Sequence, residues 1–195
     1  MNNIYKGSFV ALITPFLDNK VDEATLQKFI EWQISQGTSG LVPCGTTGES
    51  PTLSHSEHEK IIALTIEVAN GRVPVMAGTG SNSTEEAISL TRHAKEHGAD
   101  SALVVVPYYN KPTQEGLYQH FKAIAETVPI PQILYNVPGR TACDMLPETI
   151  VRLSKIDNII GVKEATGEVE RVEQLRAGCG ADFVLLSGDD ATGRK

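Results

Sequence analysis

The chain has 195 residues, of which 41% are hydrophobic, 6% aromatic and 21% charged, and carries a formal net charge of −7. That is an ordinary globular composition of one-domain length, and an acidic balance without a basic block argues against nucleic acid or an anionic membrane surface as partner. No apolar run approaches a membrane span, Met1 to Lys6 form no apolar signal core, and three widely spaced cysteines (Cys44, Cys143, Cys179) suit a reduced cytoplasmic protein without disulfide or structural zinc.

Apolar, β-branched runs recur along the chain. They begin near Phe9, Leu41, Val73, Ala102, Ile133, Ile159 and Phe183, so successive starts lie 24 to 32 residues apart. Each interval fits one strand and a crossover helix, and runs that are apolar on both faces read as strands of a covered parallel sheet. The first run, Phe9 to Phe16, reads as a single strand. Between the runs, Leu26, Phe29, Ile30 and Ile34 follow helical spacing, with Gly37 placed to end the helix. Ser54 to Glu57 and Ser83 to Glu86 are capping boxes that open two further helices. Gly116 to Thr127, Pro147 to Ser154 and Val169 to Ala177 supply three more. No linker, low-complexity tract or charge block interrupts the series, so residues 1–195 read as a single domain.

The C-terminal ends of the runs are polar and glycine-rich: Thr14-Pro15, Gly45 to Glu49, Gly78 to Asn82, Tyr108 to Lys111, Tyr135 to Arg140, Lys163-Glu164 and Ser187 to Asp190. Such ends on strand after strand predict an α/β fold of the (β/α)₈ TIM-barrel class. A doubly wound sheet would gather its ligand groups at one crevice instead. Seven runs are countable, and a barrel usually takes about 250 residues. The expectation is therefore a barrel truncated after the seventh strand, lacking the eighth strand and the C-terminal helices.

Lys163 lies inside the apolar run Ile159 to Ala165, where desolvation would lower its pKa and free the amine for Schiff-base chemistry. Its strand neighbour Glu164 should point to the opposite face. Schiff-base chemistry needs hydroxyls to move protons, and Tyr108, Tyr109, Tyr135, Thr46 and Thr47 stand at strand ends where they can do so. Arg140 follows a Val-Pro-Gly turn and suits capture of a carboxylate. The Gly45-Thr-Thr-Gly turn lacks the ending of a nucleotide loop, though its amides could hold a carboxylate. His55 and His58 read by spacing as exposed helix-start histidines rather than metal ligands, and Glu86 as the capping partner of Ser83. No metal motif is present.

Four motifs, taken together, are those of a known family. They are Gly45-Thr-Thr-Gly-Glu-Ser, Pro107-Tyr-Tyr-Asn-Lys-Pro-Thr-Gln-Glu-Gly, Tyr135-Asn-Val-Pro-Gly-Arg-Thr and Gly161-Val-Lys-Glu-Ala-Thr-Gly. From about Gly7 to Ala191 the chain resembles the dihydrodipicolinate synthase (4-hydroxy-tetrahydrodipicolinate synthase) family of pyruvate-dependent Schiff-base lyases. The resemblance implies condensation of pyruvate with L-aspartate 4-semialdehyde, without a cofactor, in lysine and diaminopimelate biosynthesis. Lys163 matches the Schiff-base lysine, and Tyr135, Thr46 and Tyr109 the proton relay, Tyr109 being supplied from a neighbouring subunit. Thr47 matches the contact to the pyruvate carboxylate, Arg140 the contact to the semialdehyde carboxylate, and Gly188 a substrate-contact segment. Related lyases such as N-acetylneuraminate lyase share the lysine and tyrosine but generally lack an arginine at the place of Arg140.

The resemblance also implies a homo-oligomer, a dimer or tetramer, with a feedback site for L-lysine at Ser50, His55, His58, Asn82, Glu86 and Tyr108. The alternative from another class is a truncated, non-catalytic subunit that keeps the interface loops.

Overall fold

A computed structural model describes residues 4–193. By their internal contacts these residues form two compact units, residues 4–79 with Leu90–Leu103, and Gly80–Ser89 with residues 104–193. Among the described residues no helix is long and apolar enough to cross a membrane.

In the first unit, β1 (Phe9–Ala11) pairs in parallel with β4 (Gly40–Val42), and Leu41 bridges Val75 just before β5 (Met76–Gly78). β5 pairs in parallel with the first residues of β6 (Ser101–Val105). The run from Phe9 to Phe16 is not one strand. β1 ends at Ala11, and Phe16–Leu17 form β2 of a hairpin with β3 (Lys20–Val21). The two residues between them, Asp18 and Asn19, have φ of 50° and 60°, the left-handed geometry of a tight hairpin turn.

Helix α1 (Glu23–Ser35) starts on the side chain of Asp22, which accepts from Thr25 N, and Gly37 at φ 84° follows its end. Helix α2 (His55–Ala69) begins with the complete Ser54–Glu57 capping box and closes on Asn70 in the left-handed region. The two helices pack on each other and bury Leu26, Ile30, Ile61 and Ile62 with Leu12, Leu41 and Val75. Each such side chain removed from water contributes about 1.5–3 kcal/mol. Helix α3 (Thr84–Glu96) and strand β6 run from one unit into the other.

In the second unit, β7 (Gln132–Asn136), β8 (Ile159–Glu164) and β9 (Val184–Ser187) lie side by side and parallel. Helix α4 (Gln114–Thr127) is capped by Thr113, whose hydroxyl accepts from Gly116 N. A short helix, α5 (Pro138–Thr141), follows β7 directly, then α6 (Pro147–Leu153) and α7 (Glu170–Cys179). α4 packs on α6 and α6 on α7, over a core that includes Leu117, Phe121, Ile133, Leu134, Met145, Ile150 and Val162. All three cysteines are free; Cys44 and Cys143 are buried.

Candidate active site

The ladder of the second unit sets the site. Tyr135 on β7 pairs with Lys163 on β8, which pairs with Leu186 on β9. One step further along, Asn136, Glu164 and Ser187 form the next row. Side chains alternate across a sheet, so Tyr135 and Lys163 share one face while Asn136 and Glu164 share the other.

On the first face the Lys163 amine stands 4.4 Å from the centroid of the Tyr135 ring. Tyr135 is buried and Lys163 largely so. Burial lowers the lysine pKa below its ordinary value, against a smaller opposite pull from Asp190. Space for the stem comes from Gly188, whose amide donates to Glu164 O at 2.8 Å. A Cβ on Gly188 would stand 2.7 Å from Lys163 Cε and 2.9 Å from Ala165 Cβ, too close for either to remain in place.

The opposite face holds a polar cluster that the sequence did not single out. Asn136, fully buried, donates through Nδ2 to Asp144 Oδ1 at 2.9 Å and to Glu164 Oε2 at 3.2 Å, and its Oδ1 accepts from Met145 N. Arg171, in the first turn of α7, grips Asp144 with both terminal nitrogens, at 2.9 and 2.6 Å, and donates through Nε to Glu168 at 2.7 Å. Its Nη1 also lies 3.9 Å from Glu164. Burial opposes ionisation of Asp144, but the hydrogen bonds from Arg171 and Asn136 outweigh it and lower its pKa. At Glu164 burial prevails over the bonds from Asn136 and Thr166, and its pKa is raised. The prediction that Glu164 turns away from Lys163 therefore matches the geometry.

Two loops of the same unit carry further candidates. Tyr109 is 87% exposed with a left-handed backbone at φ 76°, and its amide donates to Thr141 O at 3.4 Å. That bond ties its loop to α5, where Arg140 projects exposed. Asn82 Nδ2 donates to Tyr108 O, and Asn110 Nδ2 donates to Asn82 O. The Glu86 carboxylate accepts from Ser81 Oγ, while Ser83 Oγ accepts from Glu86 N at 3.4 Å. Ser81 Oγ is thus a partner of the Glu86 carboxylate, and the Ser83 amide donates to Ser81 Oγ at 3.0 Å.

The remaining candidates belong to the first unit. Thr46 and Thr47 sit exposed in the turn after β4. There the amides of Gly48 and Ser50 donate to Gly45 O and that of Glu49 to Thr46 O, so these three close the turn rather than face a ligand. Ser50 opens a 3₁₀ turn with Glu49 before it in the left-handed region. His55 is exposed, but His58 is buried, which corrects the expectation of two exposed histidines. His58 shares a helix stripe with Ile61, Ile62 and Thr65, the face that α2 buries. Burial lowers its pKa to about 4, so it is neutral at pH 7. Among the described residues no group of three or more His, Cys, Asp or Glu is arranged to hold a metal.

Residues 4–195 match the model of the dihydrodipicolinate synthetase family. The 4-hydroxy-tetrahydrodipicolinate synthase of Rhodospirillum centenum is 62% identical over 189 residues, covering 97% of this chain and 65% of that protein. A crystal structure of the chloride-inhibited dihydrodipicolinate synthase of Acinetobacter baumannii complexed with pyruvate is 57% identical with a TM-score of 0.94, covering 96% of this chain and 65% of that one. A lysine-bound synthase from Cyanidioschyzon merolae is 41% identical with a TM-score of 0.93, over 96% of this chain and 65% of that one. The α/β barrel fold expected from the sequence is the fold of these structures, and the chain spans about 65% of the length of the relatives it matches.

Proposed function

We propose, for a chain that belongs to the dihydrodipicolinate synthetase family, that Lys163 condenses pyruvate with L-aspartate 4-semialdehyde through a Schiff base to give 4-hydroxy-tetrahydrodipicolinate. The observation that carries this reading is the largely buried Lys163 amine over the Tyr135 ring, with Gly188 leaving room beside its stem. A lowered pKa raises the fraction of free amine at neutral pH, and the free amine is the nucleophile. It adds to the C2 carbonyl of pyruvate; loss of water leaves an iminium, and loss of a C3 proton gives the enamine that attacks the aldehyde carbon.

Tyr135, Thr46 and Tyr109 are assigned the proton transfers of these steps. Thr47 is assigned to the pyruvate carboxylate, Arg140 to the semialdehyde carboxylate and Gly188 to the substrate wall. The near-complete exposure of Tyr109 suits a side chain that reaches into another copy of the chain, and the assembly proposed is a dimer or tetramer. Ser50, His55, His58, Asn82, Glu86 and Tyr108 are proposed as a site for L-lysine; a lysine-bound relative of the same fold supports it. Free cysteines favour the cytoplasm as its compartment, and a family match over residues 4–195 favours one barrel domain.

The experiment is to incubate the chain with pyruvate, reduce with borohydride and map the adduct by peptide mass spectrometry. An adduct on Lys163, lost in Lys163→Met, is expected. A folded chain that gives no adduct overturns the catalytic reading in favour of a non-catalytic subunit.

A further inference from the structure

Arg171 stands where helix physics disfavours it. The first turn of α7 is the positive end of the helix dipole, where carboxylates are favoured and a cation is not. Its side chain is only 10% exposed, and a guanidinium withdrawn from water needs partners that compensate its desolvation. It has them: Asp144 in a two-pronged grip and Glu168 through Nε, with Glu164 at 3.9 Å.

The partners lead towards the site. Asp144 precedes α6 and is held by Gln114, which donates to its backbone oxygen at 2.7 Å and accepts from Leu146 N and the Thr149 hydroxyl. Asp144 in turn accepts from Asn136, and Asn136 donates to Glu164. Asn136 is the next residue after Tyr135, and Glu164 the next after Lys163. Strand pairing continues only to this row; beyond it Ala165 N reaches Asn136 O at 2.9 Å and the chain turns away. The row that fixes how β7 and β8 end is therefore fixed by the Arg171 cluster.

We propose that Arg171 is a positioning residue for the Lys163–Tyr135 pair, acting through Asp144, Asn136 and Glu164 on the reverse face of β7 and β8. A backbone shift at Asn136 or Glu164 re-aims the adjacent side chain, because successive residues of a strand share one pleated backbone. The cluster holds the amine against the ring without touching it. That this placement serves catalysis rests on the Schiff-base reading of Lys163; the placement itself does not.

Arg171→Lys separates geometry from charge. It keeps the positive charge but loses the planar fork that spans Asp144 and Glu168 together. Asp144→Asn, nearly isosteric, loosens the same link from the other side. The groups that bear directly on the Lys163 amine are Tyr135 from β7 and Asp190 after β9, and neither variant alters them.

The test compares the full chain with both variants, each checked for folding by circular dichroism. Trace acetylation with acetic anhydride across pH, read on the Lys163 peptide, gives the midpoint of its amine; exposed Lys155 serves as control. Expected is an upward move of the Lys163 midpoint, on the order of one pH unit, with Lys155 unchanged. Pyruvate trapping should slow about tenfold at saturating pyruvate, with less than about a twofold change in the half-saturating concentration. An unchanged Lys163 midpoint in the folded variants overturns the proposal. A parent chain that acetylates normally but traps no pyruvate overturns the Schiff-base reading alone, and the acetylation midpoints still decide the role of Arg171.

Discussion

Lys163 and Tyr135 are partners in the β7–β8 ladder, and the lysine amine lies 4.4 Å above the tyrosine ring. Three influences act on the amine: burial in one sense, and the ring and Asp190 in the other. The ring face favours the ammonium, by about 0.5–2 kcal/mol, while burial favours the free base. Burial outweighs the pull of Asp190, and the pKa is lowered. In the proposed reaction the ring aims the amine and the phenol hydroxyl is the group assigned to proton transfer.

Tyr135→Phe tests that division. The ring and its packing remain, so the acetylation midpoint of Lys163 should stay in place. Pyruvate trapping should slow by roughly a hundredfold, the usual scale for a lost acid–base group. A variant that traps pyruvate as fast as the parent would remove Tyr135 from the proton relay.

Lys163→Met should stabilise the chain. A lysine whose folded pKa lies below its unfolded value favours folding fully only above the unfolded pKa near 10.5, and that favour is lost as pH falls through the folded pKa. At pH 7 the desolvated amine is thus a cost, and methionine of similar length should recover about 1 kcal/mol. Thermal melts at pH 7 and pH 10.5 check this: the gain should shrink at the higher pH. No gain at pH 7 would mean that the amine is well solvated in the folded chain.

Gly188→Ala addresses the room beside the stem. The added methyl would stand 2.7 Å from Lys163 Cε, so the lysine must leave its place over the ring or β9 must shift. Overpacking of this kind costs about 1–3 kcal/mol. The expected result is a lower thermal midpoint together with slower trapping at saturating pyruvate. Trapping at the parent rate would show that the stem has freedom the geometry denies it.

The sequence showed some of this plainly. The burial of Lys163 was legible because it follows directly on the apolar run Ile159 to Val162. Among the described residues, strands such as β4, β5 and β7 were legible because runs buried on both faces need no alternation to be seen. The hairpin of β2 and β3 is harder to read, since Phe16 stands at the end of the first apolar run; Asp18-Asn19, both able to adopt positive φ, is its signal. The i, i+3 spacing to His55 does not by itself show that His58 is buried. Its spacing to Ile61, Ile62 and Thr65 puts it on the buried stripe. The Arg171 cluster was illegible because its members come from four separate segments, and only folding brings Asn136, Asp144, Glu164 and Arg171 together. The one local hint was a basic residue in the first turn of a helix.

Mild acid should destabilise the chain through its buried histidines. His58 and His120 are buried, and burial lowers each pKa to about 4 from 6.5. In the unfolded chain both bind a proton near pH 6.5, whereas in the folded chain they stay neutral until near pH 4. The stability they contribute is complete above pH 6.5 and is lost as pH falls towards 4, by up to about 3 kcal/mol for each. Glu164, with its raised pKa, works in the opposite sense, adding stability as pH falls through its folded value. A difference measurement removes that background. His120 accepts or donates one bond through Nδ1, to the Thr84 hydroxyl at 2.8 Å, and glutamine can take over that bond. His120→Gln should therefore lose less stability than the parent between pH 6.5 and 4.5 in urea titrations, with the two curves parallel above pH 7. Equal acid sensitivity in both proteins would mean that His120 titrates normally in the folded state and that its ring is open to water.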